Sequence, residues 1–266
     1  MATIAELEYS PGEIMTVAAA RWLRNGSVCF VGIGLPSAAA TLARLTHAPD
    51  VVLIYESGPI GAKPQVLPLS IGDGELAETA DTVVSVPEIF RYWLQSGRVD
   101  VGFLGAAQID KFGNINTTVI GGSYEAPQVR LPGAGGAPEI VTAAKEVAIL
   151  LKQNKRAFVQ KLDFITSSGY FEPGGGNGGT KLRGRGRTTV ISDLGVLVSD
   201  PATNELVLTA VHPGVCAEQV RNATGWELRV APNLQITPEP TASELTALRD
   251  LHARTAAAHG SAAGAQ

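Results

Sequence analysis

Two cysteines, Cys29 and Cys216, are too few for a disulfide framework or a cysteine-based zinc site. A reducing, cytoplasmic location is the expectation. No apolar run reaches the roughly 18 residues of a membrane-spanning helix. The start of the chain lacks the basic stretch and apolar core of a signal peptide. Basic excess is absent too: 21 Lys and Arg face 25 Asp and Glu, a net charge of −4. Nothing in that balance neutralises a nucleic-acid backbone. His47, His212, His252 and His259 are scattered without metal-ligand spacing. No Gly-x-Ser-x-Gly elbow supports a serine hydrolase.

What is present is a large apolar reserve. Of 266 residues, 45% are hydrophobic and 30 are glycine. That suffices for one sizeable core in a single α/β domain over 1–255, followed by an Ala/Gly/Ser-rich tail, 256–266, expected to be disordered. Ser10, Pro11 and Glu13 have the spacing of a capped helix start, and Gly26 stops that helix. Val28–Val31 and Val51–Tyr55 read as buried strands, with a helix over Ser37–Thr46 between them. Pro87–Gln95 reads as a helix and Val99–Gly105 as a strand. Continuous Val/Ile runs separated by helices predict an open, mostly parallel sheet with helices on both faces. The second half turns β-rich: strands are expected over Arg156–Thr166, Thr188–Ser192 and Leu206–Val211. A short helix is expected over Cys216–Asn222 and an amphipathic one over Glu244–Thr255. Tyr170–Arg187, with seven glycines in eighteen residues, reads as a long loop.

Glu56 is the sharpest chemical candidate. It follows five apolar strand residues and precedes Ser57-Gly58-Pro59. The carboxyl end of a parallel strand faces the ligand crevice of an open α/β sheet. A carboxylate at the edge of a dry region is poorly solvated and more nucleophilic. The plain alternative is a surface glutamate ending a strand. Gly32-Ile33-Gly34-Leu35-Pro36-Ser37 resembles a dinucleotide fingerprint, with Glu56 about where a ribose-binding acid belongs. Ser37 in place of a third glycine, and Pro36, weaken that match. Gly133–Pro138 lacks large side chains, so its backbone N–H groups can approach a ligand closely; a surface turn is the alternative. Asp110–Asn114 is turn chemistry before Ile115-Asn116-Thr117. Gln108 has the reach to bind a carbonyl or carboxylate.

In order along the chain, these segments resemble the β (or B) subunits of class I coenzyme A transferases. Gly32–Pro36 resembles the family's Gly-x-Gly-Leu-Pro turn. Tyr55-Glu56-Ser57-Gly58 resembles the Glu-Ser-Gly of the glutaconate branch; the 3-oxoacid branch usually has Glu-Asn-Gly there. Gly105–Asp110, Phe112–Asn116, Gly133–Ala137, Lys161–Ser167 and Ile191–Val196 continue the likeness, which spans roughly residues 10–250.

The resemblance implies CoA transfer between carboxylic acids through a covalent glutamyl-CoA intermediate on Glu56. It implies CoA or substrate contacts at Gly32, Gly34, Gln108, Asn116, Gly135, Gly136 and Ala137. Coenzyme A enters as substrate, with no permanently bound cofactor and no metal. An α (A) subunit is the expected partner, in a heterotetramer or larger assembly, with neither nucleic acid nor membrane involved. The glutaconate-like motif points to a dicarboxylic or oxo-acid. The basic residues of Tyr170–Arg187 then meet CoA phosphates or the partner, against the plainer reading of a solvated loop. The rivals are a same-fold acyl-CoA hydrolase or decarboxylase, an NAD-dependent dehydrogenase built on the Gly32–Ser37 turn, and a non-catalytic binding subunit.

Overall fold

The structure, a computed structural model, describes residues 8–169 and 188–260. The Tyr170–Arg187 loop therefore lies outside the described residues. Helix α1 (Pro11–Ala20) starts as its sequence demands. Ser10 Oγ accepts the Glu13 N–H at 3.2 Å, and the Glu13 carboxylate accepts the Ser10 N–H at 2.8 Å. Strand β1 (Val28–Val31), helix α2 (Leu35–Leu45) and strand β2 (Val52–Ile54) follow. β2 turns back into β3 (Pro59–Ile60), and α3 (Gly74–Glu78) leads to β4 (Thr82–Val83).

The segment expected as one helix is a short α4 (Val86–Glu88) running into a π-helix, Ile89–Leu94. Strand β5 (Val101–Gly105), the hairpin β6 (Gln108–Ile109) and β7 (Ile115–Asn116), and the hairpin β8 (Val119–Gly122) and β9 (Pro127–Arg130) come next. Helix α5 (Ala137–Ala143) and strand β10 (Glu146–Leu150) complete the first half. The second half holds β11 (Thr188–Ile191), β12 (Gly195–Ser199), β13 (Leu206–Val211), α6 (Ala217–Asn222), β14 (Arg229–Ile236) and α7 (Ala242–His259).

Among the described residues one ten-stranded sheet runs in the order β14-β13-β12-β11-β10-β5-β1-β2-β3-β4. Its centre, β11-β10-β5-β1-β2, is parallel throughout. The β-rich second half extends this same sheet, partly through antiparallel pairs. Side chains alternate across it. Phe30, Ile54 and Leu104 enter one core with Ile89 and Leu94 of the π-helix, Ile140 of α5 and Val220 of α6. Cys29, Val31, Leu53 and Phe103 enter the other core with α1, α2 and Leu248 of α7. Both faces are thus covered, which is why the strands read as unbroken apolar runs.

Two further expectations are corrected. Arg156–Thr166 is not a strand. Its backbone touches the β6–β7 hairpin only at isolated points, beside Ile109 and Ile115, and the Asp163 N–H goes to the Gln108 side chain. Residues 256–259 are not a loose tail either, because α7 continues through Ala256–Ala258, strong helix formers, to His259. No helix of the described residues is long and apolar enough to cross a membrane.

Candidate active site

The connections around β1 place an opening in the sheet. From β1 the chain passes first to β2 on one side and later to β5 on the other. Strand order reverses there, and the loops at the carboxyl ends part to leave a crevice. The crevice, about 390 Å³, is lined by the ends of β1 and β5, by Glu56 beyond β2, and by the segment from Leu131 into α5.

Glu56 arrives by a turn that leaves little freedom. The Gly58 N–H donates to the Tyr55 carbonyl at 3.0 Å, and the Tyr55 N–H donates to the Pro59 carbonyl at 3.1 Å. Gly58 has φ +115°, and a Cβ there would lie 2.0 Å from the Val84 carbonyl oxygen, so only glycine fits. Tyr55 is fully buried beneath the turn while Glu56 is half-buried. The Glu56 carboxylate faces the glycine turn. A Cβ on Gly135 would sit 3.3 Å from its Oε2, and one on Gly136 would sit 3.4 Å from its Cδ. Among the described residues none donates a hydrogen bond to this carboxylate or forms an ion pair with it. The carboxylate is thus unpartnered, half out of water and set against bare backbone, the kind of setting in which a carboxylate can act as a nucleophile.

The predicted residues do not all converge. Gly32, Gly136 and Ala137 line the crevice with Glu56, and Gly135 abuts the carboxylate. Gly34 is exposed at the start of α2 and stands outside the lining. Gln108 and Asn116 are not in the lining either. They face each other across the β6–β7 hairpin, with Asn116 Nδ2 donating to Gln108 Oε1 at 2.8 Å and Gln108 Nε2 donating to Asp163 at 2.9 Å. Asn116 Oδ1 accepts the Thr118 N–H at 2.9 Å. Their polar groups are spent inside the protein, so they shape the neighbourhood rather than face a ligand. The dinucleotide reading loses its donor as well: the Gly32 N–H is bound to the Phe103 carbonyl at 2.9 Å, and Ser37 Oγ donates to the Gly32 carbonyl.

Phe90 was missed. Its ring lies behind Gly136, where a Cβ would come within 2.5 Å of Cζ. It also packs on Phe30 of β1 at 5.7 Å between centroids. The glycine turn is held between that ring and the Glu56 carboxylate. The segment reads as an ordinary helix, and its π-helical stretch, a form frequent at functional sites, has no signature in the sequence.

The family model described as Coenzyme A transferase matches residues 13–223. The chain is 66% identical to the B subunit of the 3-oxoadipate CoA-transferase of Pseudomonas knackmussii, over 96% of its length and 98% of the relative's. It is 35% identical to the B subunit of the glutaconate CoA-transferase of Acidaminococcus fermentans, covering 89% of this chain and 91% of that one. The crystal structure of that glutaconate enzyme superposes with a TM-score of 0.80 at 30% identity, covering 91% and 94% of the two chains. The decarboxylase AibA/AibB has the same fold, with a TM-score of 0.78 at 28% identity over 93% and 96%. The fold therefore admits more than one chemistry, but the matched span and the identity to transferase subunits agree: the chain belongs to the coenzyme A transferase family.

Proposed function

We propose that this chain is the B subunit of a heteromeric CoA transferase that moves CoA between carboxylic acids by a covalent relay on Glu56. A dicarboxylic oxo-acid of the 3-oxoadipate kind is the proposed substrate. The observation that carries the reading is the Glu56 carboxylate, unpartnered and set against the Gly135–Gly136 turn at the carboxyl edge of the sheet. The 66% identity to the B subunit of a 3-oxoadipate CoA-transferase supports the substrate class and the A partner.

The chemistry follows from the groups present. A Glu56 oxygen attacks the thioester carbonyl of an acyl-CoA. The tetrahedral oxyanion needs N–H donors aimed at it, and the backbone of the Gly135–Gly136 turn is the proposed source. Collapse expels CoA thiolate and leaves an acyl-glutamyl anhydride. The thiolate then attacks the glutamyl carbonyl and releases the first acid, giving the glutamyl-CoA thioester. An acceptor carboxylate runs the sequence backwards and leaves with CoA, restoring the free Glu56 carboxylate. Binding of the CoA arm holds the thioester near the carboxylate, which a weak nucleophile requires.

The test is single-turnover trapping. The complex with its A subunit is treated with acyl-CoA and then with borohydride or hydroxylamine, and Glu56 is examined by peptide mass spectrometry. Modification of Glu56, with loss of exchange in Glu56→Gln, is the expected result. Release of free acid from an unmodified protein would instead favour a hydrolase. Full exchange activity in Glu56→Ala would make this chain a non-catalytic subunit.

A further inference from the structure

The crevice holds a charge problem. Its described lining contains no Lys, Arg or His, and its one charge is the negative Glu56. Coenzyme A carries several phosphates. Their neutralisation must come from beyond the crevice, within reach of the pantetheine arm.

The loop that leaves β10 has the matching character. Lys152, Lys155, Arg156 and Lys161 are all exposed, four cations in ten residues of a chain with a net negative charge. None of the four forms an ion pair with a described residue. Arg24 and Arg91 are unpaired as well, and what sets this loop apart is four such cations within ten residues. The two acids beside the loop are occupied by other groups. Asp193 accepts the Gln153 N–H at 2.7 Å, and Asp163 accepts Gln108 Nε2 and the Gly121 N–H.

The backbone beneath these cations is fixed. Gln153 is buried and its amide joins Thr224 and Ser192. Asn154 Oδ1 accepts the N–H groups of Arg156 and Ala157 at 2.9 and 3.1 Å, which shapes the turn. Ile109 then pairs with the loop on both sides, donating to the Ala157 carbonyl at 2.7 Å and accepting the Val159 N–H at 2.9 Å.

Its position suits an extended arm. Because β10 runs parallel to β5, β1 and β2, the loop emerges on the same sheet edge as Glu56. Three strand spacings separate β2 from β10, about 14 Å. Ile109 lies two residues beyond the lining residue Ala107, so the loop is stitched to the crevice wall.

We propose that Lys152, Lys155, Arg156 and Lys161 form the phosphate-binding platform for coenzyme A, with the pantetheine arm running from them into the crevice. This rests on the reading of the crevice as an acyl-CoA site. The loop then secures the carrier while Glu56 handles the acyl carbon.

The experiment uses the complex with its A subunit and compares two substrates, an acyl-CoA and the matching acyl-pantetheine, which lacks the phosphates. In K152Q/K155Q/R156Q/K161Q the KM for acyl-CoA should rise by about tenfold or more, the loss of a few charge-assisted contacts. Its kcat/KM for acyl-pantetheine should stay at the wild-type value. The exposed Arg24, before the amino end of β1, supplies a control: R24Q should change neither. Unchanged KM for acyl-CoA, or equal losses on both substrates, would overturn the assignment. Wild-type enzyme gives a second reading free of folding effects. Added salt should raise KM for acyl-CoA and leave that for acyl-pantetheine unmoved, and equal responses would count against the loop. Trapping on Glu56 separates the two levels. An adduct formed without phosphate discrimination sinks the loop assignment alone, and no adduct at all sinks the reading of the crevice.

Discussion

A methyl group at Gly136 would fall 2.5 Å from the Phe90 ring on one side and 3.4 Å from the Glu56 carboxyl carbon on the other. Either the ring or the turn must move, and the turn is the proposed source of the oxyanion's N–H donors. Misplacement of a catalytic frame by about 1 Å costs on the order of a hundredfold in rate. Gly136→Ala should therefore lower kcat by about that factor while KM for acyl-CoA changes little, since the proposed carrier contacts lie elsewhere. Phe90→Leu, which removes the blocking Cζ, should restore part of the loss when combined with Gly136→Ala. Steady-state kinetics of the single and double variants checks this, and a Gly136→Ala enzyme with wild-type turnover would refute it. Glu56 and the glycine cluster were both legible in the sequence, one as a charge closing an apolar strand, the other as a run without side chains. Their contact was not, because residues 57–134 intervene and carry no local sign of where the fold will bring the two together.

At the scale of elements, legibility followed how local the causes are. The capping box of α1 and the buried strands β1, β2, β5 and β13 stand close to where composition places them, since caps and apolar runs act within a few residues. Arg156–Thr166 failed for the opposite reason. Its alternation is that of a strand, yet its hydrogen bonds are taken piecemeal by Ile109, Ile115 and the Gln108 side chain. Strand β14 was missed: its burial is irregular and its register slips against β13.

His212 knits this half together. Its ring nitrogens meet the Ser192 carbonyl at 2.8 Å and Thr237 Oγ1 at 2.7 Å, linking the ends of β11, β13 and β14. Burial pushes its pKa below the ordinary histidine value of 6.5, against the opposing pull of the Ser192 carbonyl and Asp193. The folded form thus binds fewer protons than the unfolded chain between the lowered value and 6.5. Stability is complete above about pH 6.5 and declines as pH falls below it, by at most about 1.4 kcal/mol per pH unit from this group. Thermal melts from pH 8 to 5 should show the decline, and His212→Gln should flatten it. An unchanged slope in that variant would remove His212 from the account.

Across the whole molecule the sheet supplies the logic of partnership. Its parallel centre delivers Glu56, the Gly32 turn and the ends of β5 to one edge, while both faces are sealed by helices. That edge is open. Glu56 is half exposed, and Val83, Val86 and Tyr92, from the segment whose Val84 closes on the Gly58 turn, lie in water at 52%, 47% and 56% exposure. An acyl-glutamyl anhydride formed in such a setting would lose its acyl group to water before an acceptor arrived. A second subunit covering this edge would exclude that water and complete the pocket, so the isolated chain should transfer no CoA. If it reacts at all, it should release free acid and free CoA. Titrating in the A subunit should raise exchange and lower the ratio of hydrolysis to transfer together, with both curves saturating at one stoichiometry. The ratio is the telling quantity: a partner that merely stabilised this chain would raise both reactions in proportion, whereas a partner that seals the crevice must favour transfer over hydrolysis.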